Sequence, residues 1–173
     1  HLFVSHGTSV NVIDLKNEQP LASIDNMKGV HGIAVVNEVN KGFISDGKDD
    51  AVVVFDLTNF KTIKTIKLSG KKPDAIMYDS FSKKVLAFCG DSNNACVVDI
   101  NSLTQTGTVD LGGAPEFAAA DGKGLIYNHL EDKKSLVVID SKAMKVIHMY
   151  PLAPCGGPTG MALGGVNQRL LTA

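Results

Sequence analysis

The sequence predicts an all-β protein, a segment of a β-propeller built from four-stranded antiparallel blades and spanning residues 1–173 as one domain. Three observations predict it. The aspartates that end four apolar runs, Asp14, Asp56, Asp99 and Asp140, are spaced 42, 43 and 41 residues apart. A second landmark keeps the same phase, since His31, Pro73, Pro115 and Pro158 recur at 42, 42 and 43 residues, each close after a glycine. Between landmarks lie four short apolar segments rich in Val, Ile, Thr and Phe, separated by turn formers and without a useful helical stripe. Four strands in roughly 40 to 45 residues is the size of a propeller blade.

In chain order, "LFVSHG" (Leu2 to Gly7) reads as a second strand and "SVNVIDL" (Ser9 to Leu15) as a third strand, within a partial repeat of roughly 1–28. The repeat at 29–70 shows all four strands as "HGIAVV", "KGFIS", "AVVVFDL" and "KTIKTIKL". A strand covered on one face alternates polar and apolar, whereas one covered on both faces reads as a continuous apolar run. "AVVVF" is therefore expected to sit between two neighbouring blades. The aspartate after it is expected to close the hairpin by accepting backbone amides, as Asp and Asn do at turns. In the fourth strand and the loop after it, Lys61, Lys64, Lys67, Lys71 and Lys72 suit an outer edge, where lysine discourages edge-to-edge aggregation.

The repeats at 71–112 and 113–155 supply second strands in "VLAFCG" and "LIYNHL" and third strands in "ACVVDI" and "SLVVIDS". His148 falls in the outer strand "VIHMY". A last partial repeat, 156–173, stops at "QRLLTA", which reads as another second strand. About four blades are present. Because the chain opens and stops in second strands, a closed four-bladed ring is not expected, and the segment reads as part of a larger propeller whose other blades belong to the parent chain. Almost no helix is expected.

Composition narrows the function classes. A formal charge of −1 gives no general field for phosphate backbones or anionic lipid. No apolar stretch is long enough to read as a membrane span, and no signal peptide is visible. Cys89, Cys96 and Cys155 lack metal-site spacing. Cys89 and Cys96 flank the loop "GDSNNA" and so either fill a core as small side chains or face each other closely enough to bridge.

These motifs resemble the YVTN-repeat propellers, the YncE-like or surface-layer-type family, whose repeat runs from a glycine-x-proline start through strands like "LYVTN" and "VSVID". The resemblance covers essentially the whole chain and rests on residues that build blades. It implies a bacterial or archaeal protein of the periplasm or cell surface, often seven-bladed, with no catalytic residues shared across the family. In this comparison His31 stands where the other repeats have proline.

Function is expected where the repeats disagree, in the loops that gather around the channel mouth. The second-to-third loops offer His6, Asp46, Asn128 and His129, along with Lys48, Asp49, Asp50, Asp91, Asn93, Glu131 and Asp132. The fourth-to-first loops offer His31, Asp74 and Glu116. A non-enzymatic module that binds a small molecule or protein there, or scaffolds one, is the leading expectation. The alternative is a metal- or cofactor-dependent oxidoreductase of the propeller class, with His6, His31 and His129 from three blades sharing one site. "DGKDD" lacks the spacing of a calcium loop, no glycine-lysine pair precedes a helix, and no nucleophile motif appears. No cofactor is nominated.

Overall fold

The computed structural model describes residues 1–164 and 169–173, so positions 165–168 of the last repeat, with Gln168 of "QRLLTA", lie outside the described residues. The described chain is all β apart from three single 3-10 turns. The first sheet holds β1 (Leu2–His6), β2 (Ser9–Asp14) and β3 (Gln19–Ile24). Three four-stranded antiparallel sheets follow. They are β4 (Val30–Val36) to β7 (Thr62–Lys67), β8 (Pro73–Asp79) to β11 (Thr104–Asp110), and β12 (Pro115–Ala120) to β15 (Lys145–Pro151). A last pair joins β16 (Met161–Gly164) to β17 (Arg169–Thr172). We number these sheets blades 1 to 5. Each runs in sequence order from inner to outer strand, and β4, β8, β12 and β16 stand side by side along the inner edge.

The third strands β2, β6 (Ala51–Asp56), β10 (Asn94–Asp99) and β14 (Ser135–Asp140) occupy the middle of this stack. In β6, Val52 and Val54 join the apolar cluster shared with blade 3, while Val53 and Phe55 join the one shared with blade 1. Successive side chains on a strand point to opposite faces, so two covered faces require an unbroken apolar run. Blade 3 repeats the pattern with Cys96 and Val98 on one side and Ala95 and Val97 on the other. Each closing aspartate behaves as expected. Asp56 accepts the amides of Thr58 and Asn59 at 2.7 and 3.0 Å, and Asp140 those of Lys142 and Ala143 at 2.9 Å each. Asp14 accepts the amide of Lys16 in the same way.

Register corrects the sequence phase at two places by one residue. Val30 pairs with Asp46 as Pro73 pairs with Cys89 and Pro115 with Leu130. Val30, not His31, therefore occupies the proline position, and it is buried as those prolines are. In blade 4 the first hairpin is one residue shorter, so Leu130 rather than His129 matches Asp46 and Cys89. A one-residue slip moves a side chain to the opposite face of its strand, and both slips fall on candidate site residues.

Candidate functional site

Each complete blade carries a β-bulge at the same point of its first strand, between Val30 and Ile33, between Pro73 and Ile76, and between Pro115 and Ala118. Two residues of the first strand are thereby freed from the ladder, and a bulge of this kind re-aims the side chains it carries. The residues so placed are His31, Asp74 and Glu116, each one position after the buried Val30, Pro73 or Pro115. All three line one open cavity of about 480 Å³ between the inner strands, together with Thr159 ahead of β16. Ile33, Ile76, Met77, Phe88 and Ala118 form its apolar walls, and the half-exposed Phe117 stands at its side.

Within this rim His31 Nδ1 lies 3.2 Å from Asp74 Oδ1. The imidazole is lodged over Gly47, where an added Cβ would come 2.9 Å from His31 Cδ2, so that loop needs a residue without a side chain. Partial burial raises the Glu116 carboxyl above its ordinary range, and the neighbouring Glu131 and Asp74 charges push it the same way. Three carboxylates thus gather on one side of the mouth, partly offset by Lys72 near Glu116 and by His31 beside Asp74. A cation placed among them relieves their repulsion, and the apolar walls suit the body of the molecule that carries it.

Other acidic residues near the mouth are already committed. Asp46 is buried, and its two oxygens accept the amides of Lys28 at 2.8 Å and Gly29 at 2.7 Å. Asp50 accepts the Lys72 amide and pairs with Lys71, both at 2.9 Å, and Asp132 accepts the Ala114 amide at 2.8 Å. These carboxylates pin the fourth-to-first loops against the second-to-third loops. Asp49 is held by Lys28 and Lys67, which also accounts for part of the lysine row.

The remaining predicted residues lie elsewhere. His6 is exposed at the end of β1. Asn128 and His129, on β13 (Leu125–Leu130), are fully buried. Asn128 donates to the carbonyls of Glu116 and Phe117 at 3.0 and 3.2 Å, so it supports the bulge beneath the rim. His129 occupies the position of Ser45 and Phe88, on the blade 4 face that looks toward blade 5. Both its ring nitrogens lack partners, and burial lowers its pKa. The three histidines therefore do not converge. Among the described residues, no three His, Cys, Asp or Glu side chains are placed to hold one metal ion.

Sequence reasoning missed Thr159, Phe117 and the apolar walls. Their signal was available in the phase, because Thr159 follows Pro158 as Asp74 follows Pro73. The bulge itself leaves no compositional mark.

No family model and no curated protein matches the sequence. Solved structures do. Hydrazine synthase from Kuenenia stuttgartiensis superimposes with a TM-score of 0.82 at 17% identity, over 92% of this chain and 47% of that one. The Cps50 (Swd1) β-propeller domain of Myceliophteria thermophila gives 0.78 at 14% identity, over 95% of this chain and 55% of its own. Dihydro-heme d1 dehydrogenase NirN in complex with DHE gives 0.68 at 15%, over 89% and 34%. The chain spans about half the length of the first two. At these identities the likeness establishes the fold, and the chain is a β-propeller module.

Proposed function

We propose that this propeller module binds a ligand or partner at the channel mouth through a positively charged group, and that it does so without catalysis. The observation that carries the reading is the bulge repeated in β4, β8 and β12, which turns His31, Asp74 and Glu116 into one cavity. Asp74 and Glu116 would hold the cation, while Ile33, Ile76 and Phe117 would cover its apolar portion. An amine, a guanidinium or the basic side chain of a peptide has this chemistry. The names of the structural neighbours include two enzymes and a propeller domain, and they do not choose among functions for this chain. The YVTN-like repeats support a place in the periplasm or at the cell surface. The half-length coverage of the neighbours supports further blades of a parent chain as the packing partners of blades 1 and 5.

The test is calorimetric titration of the protein with arylalkylamines and with arginine- and lysine-containing peptides, each beside a neutral amide of the same shape. Cations should bind and their neutral counterparts should bind at least about tenfold more weakly, the scale of one charge-assisted hydrogen bond. The Asp74→Asn, Glu116→Gln double variant should lose that preference while unfolding at nearly the same temperature. Equal binding of the neutral series, or an unchanged preference in the double variant, would remove the reading.

A further inference from the structure

We propose that Cys89 and Cys96 form a reversible disulfide site beneath the loop that leads into β8. The two thiols are free and fully buried, with their Sγ atoms 3.8 Å apart across β9 (Lys84–Cys89) and β10. Their side chains project to the same side of blade 3, into the cluster shared with blade 2. The pair is diagonal in the ladder, since Cys89 stands opposite Asn94 and Cys96 opposite Ala87. Diagonal neighbours stand farther apart than a relaxed disulfide spans, so closing the bridge from 3.8 Å requires the backbone at the end of the β9–β10 hairpin to move.

The cover over the pair is one loop thick. Gly70 lies directly on it, and a Cβ there would stand 2.7 Å from Cys89 Sγ and 2.9 Å from Cys96 Sγ. Ser69, Lys71 and Lys72 on either side are exposed. Blade 2 solves the same structural problem differently. At the position of Cys89 it has Asp46, whose carboxylate holds the corresponding loop through the amides of Lys28 and Gly29. In blade 3 the corresponding amides are held from elsewhere, Lys71 by the Ser92 hydroxyl at 2.8 Å and Lys72 by the Asp50 carboxylate at 2.9 Å, and Cys89 and Cys96 are left facing each other beneath Gly70. Cys96 Sγ receives the Cys89 S–H at 3.8 Å and lies 3.9 Å from the Ser69 hydroxyl, and the Cys89 hydrogen bond lowers the Cys96 pKa against the opposing effect of burial while it raises that of Cys89. A thiolate so stabilised is the attacking form in disulfide exchange.

The electrons balance with a small external disulfide such as oxidised glutathione. The Cys96 thiolate attacks one of its sulfurs, expels one thiolate and forms a mixed disulfide. The Cys89 thiol then loses its proton to water and attacks the Cys96 sulfur, expelling the second thiolate. Two protein thiols are oxidised and the external disulfide leaves reduced as two thiols. The bridge would tie the end of β9 to β10 at Cys89, whose ladder partner Pro73 directly precedes Asp74 of the mouth.

The experiment uses a Cys155→Ser variant, which removes the exposed third thiol. The folded protein is equilibrated in glutathione buffers from fully reduced to fully oxidised, quenched in acid, unfolded, alkylated and cleaved at lysine. The peptide between Lys84 and Lys123 contains both cysteines. In oxidising buffer it should lose both alkylation sites together with the mass of two hydrogens, and reduced glutathione should restore them. A peptide that takes two alkyl groups at every ratio would overturn the proposal. So would one that carries glutathione on one cysteine while the other stays free.

Discussion

The third strands and the first strands of this propeller share one period and do opposite things with it. Along β6, β10 and β14 every blade repeats nearly the same apolar run, because each is pressed between two neighbours and any polar group there would be buried without a partner. At the second residue of β4, β8 and β12 the blades differ in charge and size, as His31, Asp74 and Glu116. The ladder has let go of those residues, so no neighbour dictates their chemistry. Packing enforces sameness, and a bulge facing a cavity releases it.

The largest effect should come from breaking the packed side. Phe55 is fully buried, its ring centroid lies 5.4 Å from that of Phe3, and a Cβ on Gly42 would come within 2.1 Å of its ring. Phe55→Ala should cost about 3–5 kcal/mol, the usual range for emptying an aromatic site in a core. Urea unfolding followed by circular dichroism would measure it. A loss below about 1 kcal/mol would mean that blades 1 and 2 are not held by this contact.

The turn aspartates sit between the two extremes, and pH separates their charge from their shape. Asp99 pairs with Lys84 at 2.6 Å and accepts the amides of Asn101 and Ser102 at 2.9 and 2.7 Å. Lys84 first, and the Ser102 and Asn101 amides with it, hold the carboxyl far below its usual range. A group whose folded pKa is depressed contributes stability that is present above about pH 4 and is lost as pH falls through the folded value. Asp99→Asn should therefore cost about 1.5–3 kcal/mol at pH 7, as for a hydrogen-bonded charge. The gap from the parent should close in acid. Urea midpoints from pH 7 to pH 2 would show it, and a gap independent of pH would mean that the negative charge is not what holds this turn.

The same division decides what can be read from the sequence. The strands, the turn aspartates and the two-faced burial of "AVVVF" are legible because each is repeated and each has one physical cause. Two one-residue errors are not. Val30 serves as a buried filler in place of proline, so matching by residue type set His31 in its place. The shorter first hairpin of blade 4 carried His129 one step along its strand, from a position facing the loops to one facing blade 5. The bulges are legible only in the ladder, because they depend on which residues pair rather than on which residues are present. Asp46 looked like a ligand-binding acid and is instead a loop clamp. Nothing in its local sequence distinguishes it from Asp74.

The smallest effect should carry the opposite sign. Glu116 has its carboxyl raised by burial and by Glu131 and Asp74, so the stability it contributes is present below about pH 4 and is lost as pH rises through its folded value. At pH 7 the charged form is therefore a burden on the fold. Glu116→Gln should raise stability slightly at pH 7, by less than about 0.5 kcal/mol as for an ordinary surface change, and leave it unaltered near pH 4. It should also weaken cation binding at the mouth. Paired thermal melts at the two pH values, beside the calorimetric titration, would read both. A carboxylate that costs stability and serves binding is what a site residue looks like when packing does not explain it. A loss of stability at pH 7 would instead place Glu116 with Asp99 and Asp46, among the acids that the fold itself requires.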